Sequence, residues 1–125
     1  MNLSLRITNM KEENKNTLVL ITNDHMGHGD DTLGFKLMGN FIKNLKEMGS
    51  ELWRIVLLNN GVKLTTEESE TLAALKELES DGLVIMVCST CLNHFGLLDK
   101  KQVGITTNMP DIVNAMQFAD KVITL

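Results

Sequence analysis

From Thr17 onward the chain alternates between two spacings of apolar residues. Thr17-Leu18-Val19-Leu20-Ile21-Thr22 is a short, nearly continuous apolar run, the pattern of a strand buried on both faces. A polar loop, Asn23 to Asp30, follows it. Leu33, Leu37, Phe41, Leu45 and Met48 then recur at spacings of three and four, which predicts a helix with one apolar face. Asp30 or Asp31 can cap its start, and Gly49 fits the position past its end. Leu52 to Leu58 reads as a second strand and Asn59-Asn60-Gly61 as a turn. Thr65 with Glu68 makes a capping box for a second helix, whose apolar face carries Leu72, Leu75 and Leu78 and which Asp81-Gly82 stops. Leu83 to Val87 is a third strand, ending directly at Cys88. A short helix is expected from about Cys91 to Leu97 and a weaker strand over Val103 to Thr106. Pro110 fits the first turn of a last helix, and Lys121 to Leu125 forms a last strand.

Five strands alternating strictly with four helices predict an α/β fold with right-handed crossovers and a parallel sheet. Every strand-to-helix loop then lands on one edge of the sheet, where open α/β folds bind ligands. Four loops converge there: Asn23 to Asp30, Asn59 to Leu64, Cys88 to Cys91, and Thr106 to Met109. Residues 1–16 are polar without a period and read as a flexible tail, with the ordered domain expected over residues 17–125. A chain of 125 residues is enough for one domain and too short for two ordinary ones.

Composition narrows the function. Hydrophobic residues make up 43% and charged residues 22%, which is ordinary for a globular chain. Tyr is absent, so the eight Met fill core volume that aromatics usually take. The net charge of -4, with basic residues scattered, argues against nucleic acid as a partner. No apolar stretch approaches the roughly 18 residues that span a bilayer, and Met1 to Asn16 has no signal-peptide core. The expected location is the cytoplasm, where two cysteines are not expected to form a permanent disulfide.

Cys88-Ser89-Thr90-Cys91 leaves a buried strand and enters a helix, so it reads as redox, sulfur-transfer or metal chemistry. A thiol at a helix start faces free amide N–H groups, which predicts a pKa below the ordinary value of about 8.5. Ser89 and Thr90 can add hydroxyl donors to an anionic sulfur. The thioredoxin-type alternative uses the same spacing, but after the first strand of a different pattern. A metal site would have to draw on His25, His28 and His94 as well, and the spacing matches no standard zinc site, so no metal is expected. The loop holding Gly27 and Gly29 precedes a helix but lacks a complete phosphate-binding pattern, and Asp24, Asp30 and Asp31 would repel phosphate. No cofactor is expected. His25 or His28 is instead a candidate proton shuttle beside the thiols. Asn23, Asn59, Gly61 and Asn108 complete a polar lining along the same edge.

These residues resemble the DsrE/DsrF-like superfamily, and most closely the carboxyl-terminal domain of YedF-like proteins, which are sulfurtransferase-like and linked to selenium metabolism. The similarity lies in Leu18 to Leu33, in Leu58-Asn59-Asn60-Gly61-Val62-Lys63-Leu64, in Val87-Cys88-Ser89-Thr90-Cys91-Leu92, and in Val103 to Met109. It implies a three-layer α/β/α sandwich with a five-stranded, mainly parallel sheet, and a homo-oligomer. It also implies a role as a sulfur or selenium carrier through a persulfide-type species. Cys88 then stands where sulfur-relay relatives hold their acceptor, and Cys91 resolves that species. Ser89 replaces the glycine usual in Cys-Gly-Thr-Cys. The resemblance further implies a donor or acceptor protein of the TusA/SirA type, whose domain residues 1–16 cannot hold. The alternative from another class is a non-catalytic binding or assembly module, with Cys88 and Cys91 structural or holding a metal.

Overall fold

The apolar runs become β1 (Thr17–Ile21), β2 (Leu52–Leu57), β3 (Val84–Cys88), β4 (Ile105–Thr107) and β5 (Lys121–Thr124). The structure is a computed structural model and describes residues 15–66 and 69–125. The strands form one sheet in the order β4-β3-β2-β1-β5, with every pairing parallel. β1 lies next to the centre of the order and is buried along its whole length, as a run without polar alternation requires.

Four α-helices connect the strands: α1 (Asp31–Asn44), α2 (Glu70–Ser80), α3 (Ser89–His94) and α4 (Met109–Phe118). The first three crossovers step one way along the sheet, and the last returns to the far side of β1. Right-handed crossovers therefore place α1, α2 and α3 on one face and α4 alone on the other. The expected α/β sandwich is observed, with unequal outer layers.

Local chemistry moves several boundaries. Asp30 caps α1, accepting the Leu33 N–H at 2.8 Å. That helix ends at Asn44, earlier than periodicity suggests, and the chain tightens into 3-10 turns over Leu45–Glu51 around Gly49, whose φ is 58°. Thr65, expected to cap the second helix in a capping box with Glu68, is not its cap residue. Thr65 is buried at the end of a 3-10 segment, Asn59–Thr65, and its hydroxyl donates to the Val62 carbonyl at 2.7 Å. With that hydroxyl engaged, the cap of α2 passes to Ser69, which accepts the Thr71 N–H at 3.1 Å. Glu68 lies outside the described residues. The helix after β3 starts at Ser89, two residues before the expected Cys91, so Cys91 sits inside it. Pro110 occupies the first turn of α4 as expected.

Most of the expected tail, residues 1–14, lies outside the described residues. Asn16 is tied to the domain. Its N–H donates to the Asp120 carboxylate at 2.8 Å and its carbonyl accepts the Asp120 N–H at 2.9 Å. No helix among the described residues is long and apolar enough to cross a membrane.

Candidate functional site at the thiol pair

Cys88 is the last residue of β3 and the cap residue of α3, with extended backbone angles. It closes the buried run Ile85-Met86-Val87 and is 1% exposed. Cys91 follows three residues later, near one turn along α3, and is half-buried. Both are free thiols, and Cys88 is a neighbour that acts on the titration of Cys91.

A second element completes the site. After β2 the backbone turns at Asn59, whose φ of 50° is the one left-handed value at a non-glycine among the described residues. Asn tolerates this conformation better than most residues. The turn aims the Asn59 N–H at the Cys91 sulfur, 3.1 Å away. Gly61, two residues on, is buried. A Cβ there would run into the Ile21 carbonyl oxygen, so the absence of a side chain lets the 3-10 segment lie against the end of β1. Lys63, in the same segment, places its Nζ 4.5 Å from the centre of the Phe95 ring just past α3.

The electrostatics run against the expected low thiol pKa. Burial pushes the Cys91 thiol up, the Asn59 N–H opposes this, and Cys88 adds to the rise. Desolvation wins because the sulfur has one backbone donor among the described residues, the Asn59 N–H, which belongs to a neighbouring segment and not to α3. Ser89 is half-buried and Thr90 exposed, and neither hydroxyl bonds a thiol among the described residues.

The other expected site residues form separate groups. His25 is half-buried, with Nδ1 3.1 Å from Asp24 Oδ1 and Nε2 3.4 Å from the Asn23 amide nitrogen and 3.7 Å from Asp31. Its ring tilts against Phe35 at 5.4 Å. These partners all belong to the first loop and α1; the thiols are not among them. Gly27 and Gly29 are exposed with φ of 84° and 128°, and a Cβ at either would meet nothing within 4 Å. They set the course of the loop by backbone conformation, with no neighbour that a side chain would strike. Asn108 caps α4, accepting the Asp111 N–H at 2.9 Å. A cleft of about 530 Å³ opens beside the first loop, with Asp24, Lys36, Lys63 and Thr71 in its wall. Among the described residues no three His, Cys, Asp or Glu side chains converge as metal ligands.

The structure thus joins Cys88, Cys91 and Asn59, with Gly61 as packing support. Sequence reasoning did not single out Lys63. Its place next to Val62 and Leu64, both buried in a tight 3-10 segment, was the available signal that its side chain would be held against a neighbour.

Residues 15–125 match the DsrE/DsrF-like family. No curated protein matches the sequence. Among solved structures, the YchN protein from E. coli superposes with a TM-score of 0.68 at 17% identity, covering 89% of this chain and 99% of that one. MTH1491 from Methanobacterium thermoautotrophicum, a protein of unknown function, gives 0.63 at 20% identity, covering 87% and 97%. BT1422 from Bacteroides thetaiotaomicron, also of unknown function, gives 0.61 at 18% identity, covering 88% and 95%. At these identities the likeness is one of fold.

Proposed function

Because this chain belongs to the DsrE/DsrF-like family, we propose that it carries sulfane sulfur on Cys91, with Cys88 as the thiol behind it. One observation carries the reading. The reachable sulfur of the pair is also the one that accepts a fixed backbone N–H, from Asn59 at 3.1 Å. A donor held by the backbone stabilises sulfur as it becomes anionic and needs no rearrangement to do so.

The chemistry needs no cofactor. The Cys91 thiolate attacks the outer sulfur of a persulfide donor, R–S–SH. A new S–S bond forms on Cys91, the donor's S–S bond breaks, and the donor leaves as its thiolate. An acceptor thiolate takes the outer sulfur in the same way and restores Cys91. The raised thiol pKa keeps Cys91 protonated at rest, so its proton leaves before attack. If Cys88 attacks the inner sulfur of the loaded Cys91, a Cys88–Cys91 disulfide forms and hydrosulfide departs. Cys88 therefore sets how long the sulfur stays. The resemblance alone had given Cys88 the accepting role. Its 1% exposure favours the reverse order. The YedF-like assignment, selenium in place of sulfur, and a TusA/SirA-type donor or acceptor belong to this same reading.

The test is mass spectrometry after incubation with a low-molecular-weight persulfide. One added sulfur atom is expected on Cys91, lost in Cys91→Ser and longer-lived in Cys88→Ser. Sulfur on Cys88 alone, or on neither residue of the folded chain, refutes the proposal. The burial of Cys88 also favours a second reading, in which that residue only packs and the domain serves assembly. Cys88→Ala with unchanged lifetime of loaded Cys91 selects that role for Cys88.

A further inference from the structure

Two glycines of α1 are buried, and packing accounts for only one of them. At Gly34 a Cβ would press on the His25 Cβ and the Met26 carbonyl oxygen, each at 3.1 Å. At Gly39 a Cβ would meet nothing within 4 Å beyond its own helix. A glycine inside a helix is less favourable than any ordinary residue, so an uncrowded one has a cost without a packing return. The space over Gly39 is the cleft of about 530 Å³ beside the first loop. Clefts that hold small molecules measure roughly 300–1,000 Å³.

The walls of this cleft are fixed by their own hydrogen bonds. The Thr71 hydroxyl donates to the Leu64 carbonyl at 3.2 Å and shares a hydrogen bond with the Ser69 hydroxyl, which joins the start of α2 to the 3-10 segment. The Thr66 hydroxyl donates to the Lys63 carbonyl at 2.8 Å and holds the end of that segment. Phe35 and Leu64 give the cleft apolar surface. Lys36 and Lys63 bring ammonium groups to it, and Asp24 and Glu70 bring carboxylates. A lining with both signs of charge favours a ligand with both signs over a simple anion or cation.

Lys63 joins the cleft to the thiols. It belongs to the segment whose first N–H reaches Cys91, and its Nζ lies 4.5 Å from the centre of the Phe95 ring, just past α3. Four steps along that 3-10 segment, at a rise of about 2 Å each, put Lys63 roughly 8 Å from Asn59. Three extended residues, at about 3.3 Å each, span such a separation, and a single amino acid does not. We infer that the cleft binds the body of the sulfur donor, a short zwitterionic peptide thiol in its persulfide form. Its carboxylates face Lys36 and Lys63, and its ammonium faces Asp24 and Glu70. This rests on the carrier reading, with Cys91 as the accepting thiol. The outer sulfur passes to Cys91 as the donor's S–S bond breaks, and the peptide leaves as its thiolate.

Two measurements on the whole chain separate the cleft from the chemistry. The first is calorimetric titration with S-methylglutathione, a zwitterionic tripeptide without a reactive sulfur, which should bind saturably. Gly39→Leu should weaken that binding by about tenfold or more by filling the cleft, while thermal unfolding moves up by about 3 °C because α1 loses a glycine. Lys36→Gln should weaken it by about tenfold, the effect of one charge-assisted contact. The second is the rate of sulfur loading on Cys91 from glutathione persulfide against that from ethyl persulfide, whose body is uncharged. The peptide donor should load faster at low concentration, and Gly39→Leu should remove its advantage. Equal loading from both donors, no binding of S-methylglutathione, or binding that Gly39→Leu and Lys36→Gln leave intact would overturn the cleft assignment and leave the carrier reading standing. No loading from either donor, with S-methylglutathione still bound, would overturn the carrier reading and with it the cleft's role in supplying sulfur.

Discussion

Two glycine-bearing loops sit at the same edge of the sheet, and they owe their glycines to different physics. In the first loop Gly27 and Gly29 are exposed, with positive φ and open space around them. In the segment after β2 Gly61 is buried, and a methyl group there would collide with the backbone of β1. The first needs freedom of the chain and the second needs absence of volume. Only the second is coupled to the thiols, because it seats the segment whose first N–H reaches Cys91. A glycine in a loop motif is therefore no sign of a ligand until the two causes are separated.

The largest effect that separates them is on stability. Gly61→Ala should cost about 3 kcal/mol, since the obstacle is a backbone carbonyl in a central strand and cannot rotate away. Gly27→Ala should cost about 1 kcal/mol, the penalty of a left-handed conformation without a clash. Urea unfolding of both variants measures the difference. Equal losses would mean that the 3-10 segment can lift off β1 freely.

A smaller effect falls on the sulfur itself. Asn59→Gly keeps both the positive φ and the N–H, so alkylation of Cys91 should proceed at close to the wild-type rate. Asn59→Val disfavours the turn and withdraws the donor. Losing a hydrogen bond of about 1 kcal/mol should slow alkylation near neutral pH about fivefold, by raising the thiol pKa further. Stability against pH carries the same signature. The folded state holds the Cys91 proton more tightly than the unfolded chain does. Its contribution is intact below the ordinary thiol pKa of about 8.5 and is lost as pH rises above that toward the folded value. Unfolding measured from neutral to alkaline pH should show that erosion, and Cys91→Ser should reduce it.

The sequence carried the sheet more legibly than the site. Continuous apolar runs such as Thr17 to Ile21 and Val84 to Cys88 admit only doubly covered strands, and alternation with helices leads to a parallel order. Asp30, Asn108 and Pro110 show their capping chemistry on their face. Thr65 and Glu68 satisfied a capping pattern by spacing, but the Thr65 hydroxyl had a nearer acceptor in a 3-10 turn that spacing does not reveal. The Cys-x-x-Cys motif was visible, whereas which thiol is reachable depends on where the helix begins. A shift of two residues in that start put Cys91 on a half-buried helix face and left Cys88 in the core. The donor to Cys91 is a backbone N–H from another loop, and a backbone group has no letter in the sequence.

The smallest expected effect belongs to the first loop, and it is a null result with content. Imidazole beside a thiol pair suggested a proton shuttle. In the fold, His25 directs Nδ1 to Asp24 and Nε2 toward Asn23 and Asp31, with its ring against Phe35. Each interaction closes within the first loop and α1. A shuttle must lie within hydrogen-bonding reach of the group it serves, directly or through one water. His25→Ala should therefore leave the alkylation rate of Cys91 within about twofold of wild type across neutral pH. A rate that instead loses a neutral-pH inflection on this substitution would tie the first loop to the thiols. The distinction between an open loop and a packed one would then fail as a guide to which of them serves the chemistry.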